Sequence, residues 1–237
     1  MSRPDFDFDS LSELHNSVNE LLHSPNTKLE IIHGGHKKWA HQVSESSLRM
    51  ADSCAAAKDL LLLARDHLQN LQSAFRRITA TETATAGNTF APHRLPRKQL
   101  KKAILKRLHS LKGMKTTYSA ASPPPDHSLA VVVDLLKEVR ATTLLIVRSL
   151  FSLIAIPNPD GKGKPGPGRK DPVFMRIKLT RVDSLSFWEK CDVSDIREVT
   201  TKLEEVEIVV QELEAELQDM FRRLIRTRAS LLNILTT

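Results

Sequence analysis

The residues able to do chemistry in this sequence are few and poorly assembled. His33 and His36 bracket a glycine pair in "HGGH". Two imidazoles supply half of a zinc shell, and no cysteine or paired carboxylate stands nearby to complete it, so no metal is expected. "GKGKPGPGRK", residues 161–170, has the glycines and lysines of a phosphate loop but lacks the GK[ST] ending and lies among prolines with no strand before it. It reads as a linker. Cys54 and Cys191 are the only cysteines and form no CxxC. Cys54 falls beside an apolar helical seam and reads as a buried structural thiol. His67 and His109 have no Ser or Cys partner at a recognisable spacing. A small-molecule enzyme inside a helical bundle would need inward-facing Glu-x-x-His pairs of the carboxylate-metal type, and none is expected. The sequence therefore nominates no catalytic residue and no cofactor, and an enzyme is not expected.

What it does offer is charge and periodicity. The formal net charge is +7 over 237 residues, which favours acidic partners. Much of the base sits in "PRKQLKKAILKRLHSLKGMK", where Leu100, Ala103, Ile104, Leu108 and Leu111 share one face. Arg97, Lys98, Lys101, Lys102, Lys106 and Lys112 surround that face and are the candidate contacts to an anionic surface. Lys162, Lys164, Arg169 and Lys170 of the Pro/Gly-rich stretch could add to them. Nucleic acid is not expected, because these basic runs have no interleaved aromatic residues and no recognition motif.

The elements that must carry these groups are helices. Aromatic residues are 5% of the chain, and glycine is scarce outside one loop. "SLSELHNSVNELLH" has capping-box spacing at Ser10 and Glu13, an apolar stripe of Leu11, Leu14, Val18, Leu21 and Leu22, and Pro25 as its stop. A second segment, 26–33, stops at Gly34-Gly35. A long helix then runs from about Lys37 to Ile78 on a heptad of Trp39, Val43, Ser46, Met50, Ser53, Ala57, Leu60, Ala64, His67, Leu71, Phe75 and Ile78. The basic helix starts near Pro96 and stops near Gly113. The segment from His127 to Ile156 is the most hydrophobic. Charges at Asp134, Lys137, Glu138, Arg140 and Arg148 interrupt it, so it reads as a central helix buried on most sides and not as a membrane span.

The last helix begins near Ser194 and continues to the end. Its candidate helix–helix seam is Leu203, Val206, Val210, Leu213, Leu217, Met220, Leu224 and Leu231. Its first half is acidic and its second half basic, so the basic helix is an obvious partner for the acidic stretch. Arg223 and Arg228 flank the seam, within reach of a neighbouring helix, while Arg222 and Arg226 lie farther out. "FRRLIRTR" is read first as a structural helix end and second as a grip on an external anion.

The expected architecture is all-α: one elongated multi-helix bundle over residues 1–237, with long heptad-patterned antiparallel helices. Disordered Pro/Gly-rich loops are expected at 79–95, 116–127 and 157–172. "MSRPDFDFDS" has charges where a secretory leader needs an apolar run. An intracellular protein is expected, cytoplasmic or peripheral to a membrane. The expected partners are proteins taken through helices, with a second copy of the chain among them, or an anionic membrane surface.

The closing "LQDMFRRLIRTRASLLNIL" resembles the terminal signature of a plant-specific BYPASS-related family of unknown biochemical function. "LHNSVNELLHSP", "KKWAHQVSESSLRMADSCAAAKDLLL", "LQSAFRR" and "RKQLKKAILKRLHSLKGMK" agree with it in order, so the resemblance covers nearly the whole chain. It implies a role in root and shoot development and brings no catalytic residues or cofactor. Members usually carry a basic, serine-rich segment ahead of the first helix, whereas this sequence reaches "DFDFDSLSELH" almost at once.

Overall fold

The computed structural model describes residues 6–80, 94–114, 127–154 and 193–236, and every regular element among them is a helix. In chain order these are α1 (Phe8–His23), α2 (Pro25–His33), α3 (Lys37–Ala80), α4 (Arg94–Met114), α5 (His127–Ile154) and α6 (Val193–Thr236). The all-α class read from composition is the class observed. The expected loops at 79–95, 116–127 and 157–172 lie outside the described residues except at their edges, where α3 reaches Ala80, α4 begins at Arg94 and α5 begins at His127.

α1 starts earlier than its capping-box spacing suggests. Asp7 is the N-cap, and its Oδ1 accepts the Ser10 backbone N–H at 3.1 Å. Aspartate caps as well as serine does and adds a negative charge at the positive end of the helix dipole, so the upstream residue wins. Leu11, Val18 and Leu22 are buried along the expected stripe, with His15 among them. The helix ends at Ser24, whose ψ of 134° is extended because the following Pro25 excludes the helical conformation. Pro25 in turn opens α2, where its missing N–H costs nothing.

α2 ends at Gly34, whose N–H donates to the Glu30 carbonyl at 2.8 Å. A Cβ on Gly34 would stand 2.5 Å from that same oxygen, and Gly35 takes φ +76°. Both glycines of "HGGH" are thus required by the turn into α3.

The described helices divide into two compact units. The first contains Asp59–Lys106 and Phe151–Glu214, and the second contains Phe6–Lys58, Arg107–Leu150 and Ala215–Thr237. In the first unit the core is built from Leu60, Leu61, Leu68, Leu71 and Phe75 of α3, Leu100 and Ile104 of α4, Phe151 of α5, and Val206, Val210 and Leu213 of α6. Here α3 and α6 run antiparallel: Arg65 meets Glu214, Gln69 meets Glu207, and both Gln72 and Arg76 meet Glu204. Partners that rise along one helix fall along the other.

The second unit repeats this antiparallel pairing, with Lys58 Nζ donating to Gln218 Oε1 at 2.8 Å and Arg228 facing Glu45 at 3.8 Å. α3 buries two adjacent heptad seams here. One is the expected row through Trp39, Val43, Met50 and Ala57, and the other is Ala40, Ser44, Ser47, Ala51 and Cys54. Every residue of the second row is at most 1% exposed. Small side chains at i, i+4 and i+7 bring helix backbones close, so this row has no room to grow. Ala51→Leu is expected to cost about 1–3 kcal/mol through overpacking, read from the shift of a denaturant midpoint.

α5 corrects a sequence expectation. It is not buried on most sides: Leu129, Val132, Val133, Leu136, Val139, Ile146, Val147 and Leu150 face the core of the second unit, while Val131, Asp134, Lys137, Glu138, Ala141, Leu145 and Arg148 are exposed. High mean hydropathy concealed an ordinary one-sided helix. Arg140 lies on the buried side and donates to Ser46 Oγ of α3 at 2.7 Å.

Candidate interaction surfaces

No group of three or more histidines, cysteines and carboxylates able to hold a metal occurs among the described residues. Glu-x-x-His spacing does occur, at Glu20–His23 and Glu30–His33, but His23 and His33 are exposed and so do not face inward. Cys54 is buried, and burial pushes its thiol up to about 12, which keeps it neutral and a poor nucleophile. Cys191 lies outside the described residues.

Of the candidate seam, Val206, Val210, Leu213, Leu217, Met220, Leu224 and Leu231 are all buried within the chain's own units. Leu203 lies outside the described side chains. Thr227 and Ile234 continue the row to the last turn. In this conformation the seam is occupied by neighbouring helices, which leaves the outer faces of the helices for any other partner.

The closing arginines sort as their register requires. Arg223 Nη1 donates to Asn16 Oδ1 of α1 at 2.8 Å, and Arg228 reaches Glu45 of α3. Arg222 instead pairs along its own helix with Asp219 at 3.1 Å, and Arg226 is exposed. The α1 contact is extended by Ser230 Oγ, which donates to Asn19 Oδ1 at 3.4 Å. "FRRLIRTR" therefore ties α6 to α1 and α3 inside the second unit. Exposed pairs of this kind contribute at most about 1 kcal/mol each, so they set register more than stability.

The acidic half of α6 takes partners that the sequence did not nominate. Glu204, Glu207 and Glu214 bond to Gln72, Arg76, Gln69 and Arg65 of α3. On α4 the apolar residues Leu100, Ile104 and Leu111 are buried, as the amphipathic pattern requires. Lys102 and Lys106 are exposed and Lys101 is half-buried, while the Arg97, Lys98 and Lys112 side chains lie outside those described. The loop bases Lys162, Lys164, Arg169 and Lys170 also lie outside the described residues. Leu105, beside Lys106, is 56% exposed. No described helix is long and apolar enough to cross a membrane.

His15 is a polar group that sequence reading missed. It is 3% exposed, and neither ring nitrogen has a hydrogen-bond partner among the described residues. Burial first, and the Arg223 guanidinium second, lower its pKa from 6.5 to about 4. Its position at i+4 from Leu11 was the available signal, because a stripe that continues through a histidine buries it.

Helix seams closed on one another, with charged outer faces and no assembled reactive centre among the described residues, define the class: an all-α bundle whose solvent faces are its candidate sites. The family model described as Protein BPS1 matches residues 7–234, from the N-cap of α1 to the last buried seam residue of α6. The chain belongs to this BYPASS-related family. No curated protein and no solved structure matches it. Membership of the family fits a role in development.

Proposed function

We propose that the chain is a non-enzymatic helical interaction protein acting in plant root and shoot development, inside the cell. Its seams hold the bundle, and its outer faces meet protein partners. The observation that carries this reading is the division of α6 into a seam buried from Val206 to Ile234 and a charged outer face. A residue row occupied internally is spent, so recognition falls to the faces left in water. Family membership supports the developmental part. With the purified chain as bait in plant tissue, the expected result is repeated recovery of one protein, lost when Lys102 and Lys106 are reversed to glutamate. Recovery of nothing above background would overturn the reading.

A second reading, peripheral association with an anionic membrane, draws on Lys102 and Lys106 standing exposed beside the exposed Leu105 of α4. Each such base contributes about 1 kcal/mol near an anionic surface, and the buried apolar face of α4 leaves electrostatics as the main attraction. Salt-sensitive co-sedimentation with phosphatidylserine vesicles is its test, and absence of binding at low salt removes it.

A further inference from the structure

The outer face of α5 carries a short pattern that is complementary to its own reversal. Glu138, Ala141, Leu145 and Arg148 are all exposed and follow one another at steps of three, four and three. Such steps keep the four side chains in one row, about 15 Å long. The row faces away from Val139, Thr143, Ile146 and Val147, which are buried in the second unit. Leu145 is 64% exposed, the most of any large hydrophobic side chain described. Half-buried Thr142 and Leu144 flank the row. Neither the Glu138 nor the Arg148 side chain has a hydrogen bond or ion pair among the described residues. The neighbouring Asp134 and Lys137 pair with each other at 2.9 Å and leave both charges of the row unengaged.

We propose that this row is a self-association surface, on which α5 of a second copy of the chain lies antiparallel across a twofold axis. Read from either end, the spacing of the row is the same and its charge is opposite. Reversing one copy over the other therefore sets each Glu138 against the other copy's Arg148. It also sets each Ala141 against the other copy's Leu145, in the alternating layers of an antiparallel helix pair. The small Ala141 side chain leaves space in which Leu145 is covered. The inference rests on the interaction reading above and deepens it by naming a second copy of this chain as the partner of one outer face. A parallel arrangement would set Glu138 against Glu138 and Arg148 against Arg148. An anionic lipid surface would attract Arg148 and repel Glu138 of the same row. The contact is about three helical turns long, so it belongs among weak interfaces below about 1,200 Å². Its charge pairs are exposed at the rim, and salt screens them.

Sedimentation velocity of the full chain, from low-micromolar to sub-millimolar concentration at low salt, tests this. The wild type is expected to gain mass with concentration and to stop at two copies, because a twofold contact closes on itself. E138R and R148E are each expected to weaken association at least about tenfold, since each turns two attractions into two repulsions. The double variant E138R/R148E restores the pairs with their signs exchanged and is expected to associate as wild type does. An equal mixture of the two single variants is also expected to recover the dimer, because every arginine then meets a glutamate. Melting temperatures within a few degrees of wild type show that the variants fold, as substitutions on an exposed face should. A monomeric wild type, growth beyond two copies, single reversals that associate normally, or a double variant that stays monomeric would each overturn the inference. The interaction reading fails on a different result, the empty recovery from tissue, so the two failures are distinct.

Discussion

Leu217→Ala is expected to lower the unfolding free energy by about 2–5 kcal/mol, a large share of the roughly 5–15 kcal/mol typical of a folded domain. Leu217 is fully buried midway along α6, next to the Lys58–Gln218 hydrogen bond that sets the α3–α6 register in the second unit. Truncation removes apolar atoms from water-free surroundings and leaves a cavity that two long, mutually braced helices cannot collapse to fill. Ile208→Ala, on the outer face of the same helix, is expected to change stability by no more than about 0.5 kcal/mol. Denaturant unfolding of both variants measures the contrast. Equal effects would mean that the two faces of α6 are not inner and outer as described.

His15 should make stability fall in acid. Its folded-state pKa is about 4 against an ordinary 6.5, so the folded chain prefers the neutral ring. Above pH 6.5 both states are neutral there and the group contributes no pH dependence. As pH falls through 6.5 the unfolded chain takes up a proton that the folded chain refuses. Stability then drops until about pH 4, by about 3 kcal/mol in total. His15→Leu removes both the titration and the unpartnered ring nitrogens and suits the apolar stripe of α1. The expected outcome is that the difference in stability between wild type and variant grows by about that amount between pH 7 and about pH 4.5. A difference that stays constant over this range would show that the ring is solvated.

The long helices were the most legible part of the molecule. An eight-residue heptad seam on α6 survives any small error in register, and the same register separated Arg223 and Arg228, which reach α1 and α3, from Arg222 and Arg226, which do not. Cys54 was readable because it lies next to a seam. The second α3 seam was not, because Ala40, Ser44, Ser47 and Ala51 are small or polar and carry little hydropathy, although packing buries them as completely as leucine. The α1 cap was misplaced because Asp7 and Ser10 both suit the position and only local geometry chooses between them. Bulk hydropathy overstated α5, whose exposed Leu145 and Val131 raise the mean without joining the core. The α3 partners of Glu204, Glu207 and Glu214, which are Arg65, Gln69, Gln72 and Arg76, depend on which helices become neighbours, and charge sign alone did not nominate them.

The central claim is that the seams of this protein hold its fold and the outer faces do its work. The most direct test is the affinity of the tissue-recovered partner for Leu217→Ala and for K102E/K106E, measured below the melting temperature of both. The account predicts that the seam variant melts lower yet binds as wild type does, whereas the face variant melts normally and loses binding. Loss of binding in the seam variant, with binding retained by the face variant, would contradict it and would mean that the bundle opens to offer its seam.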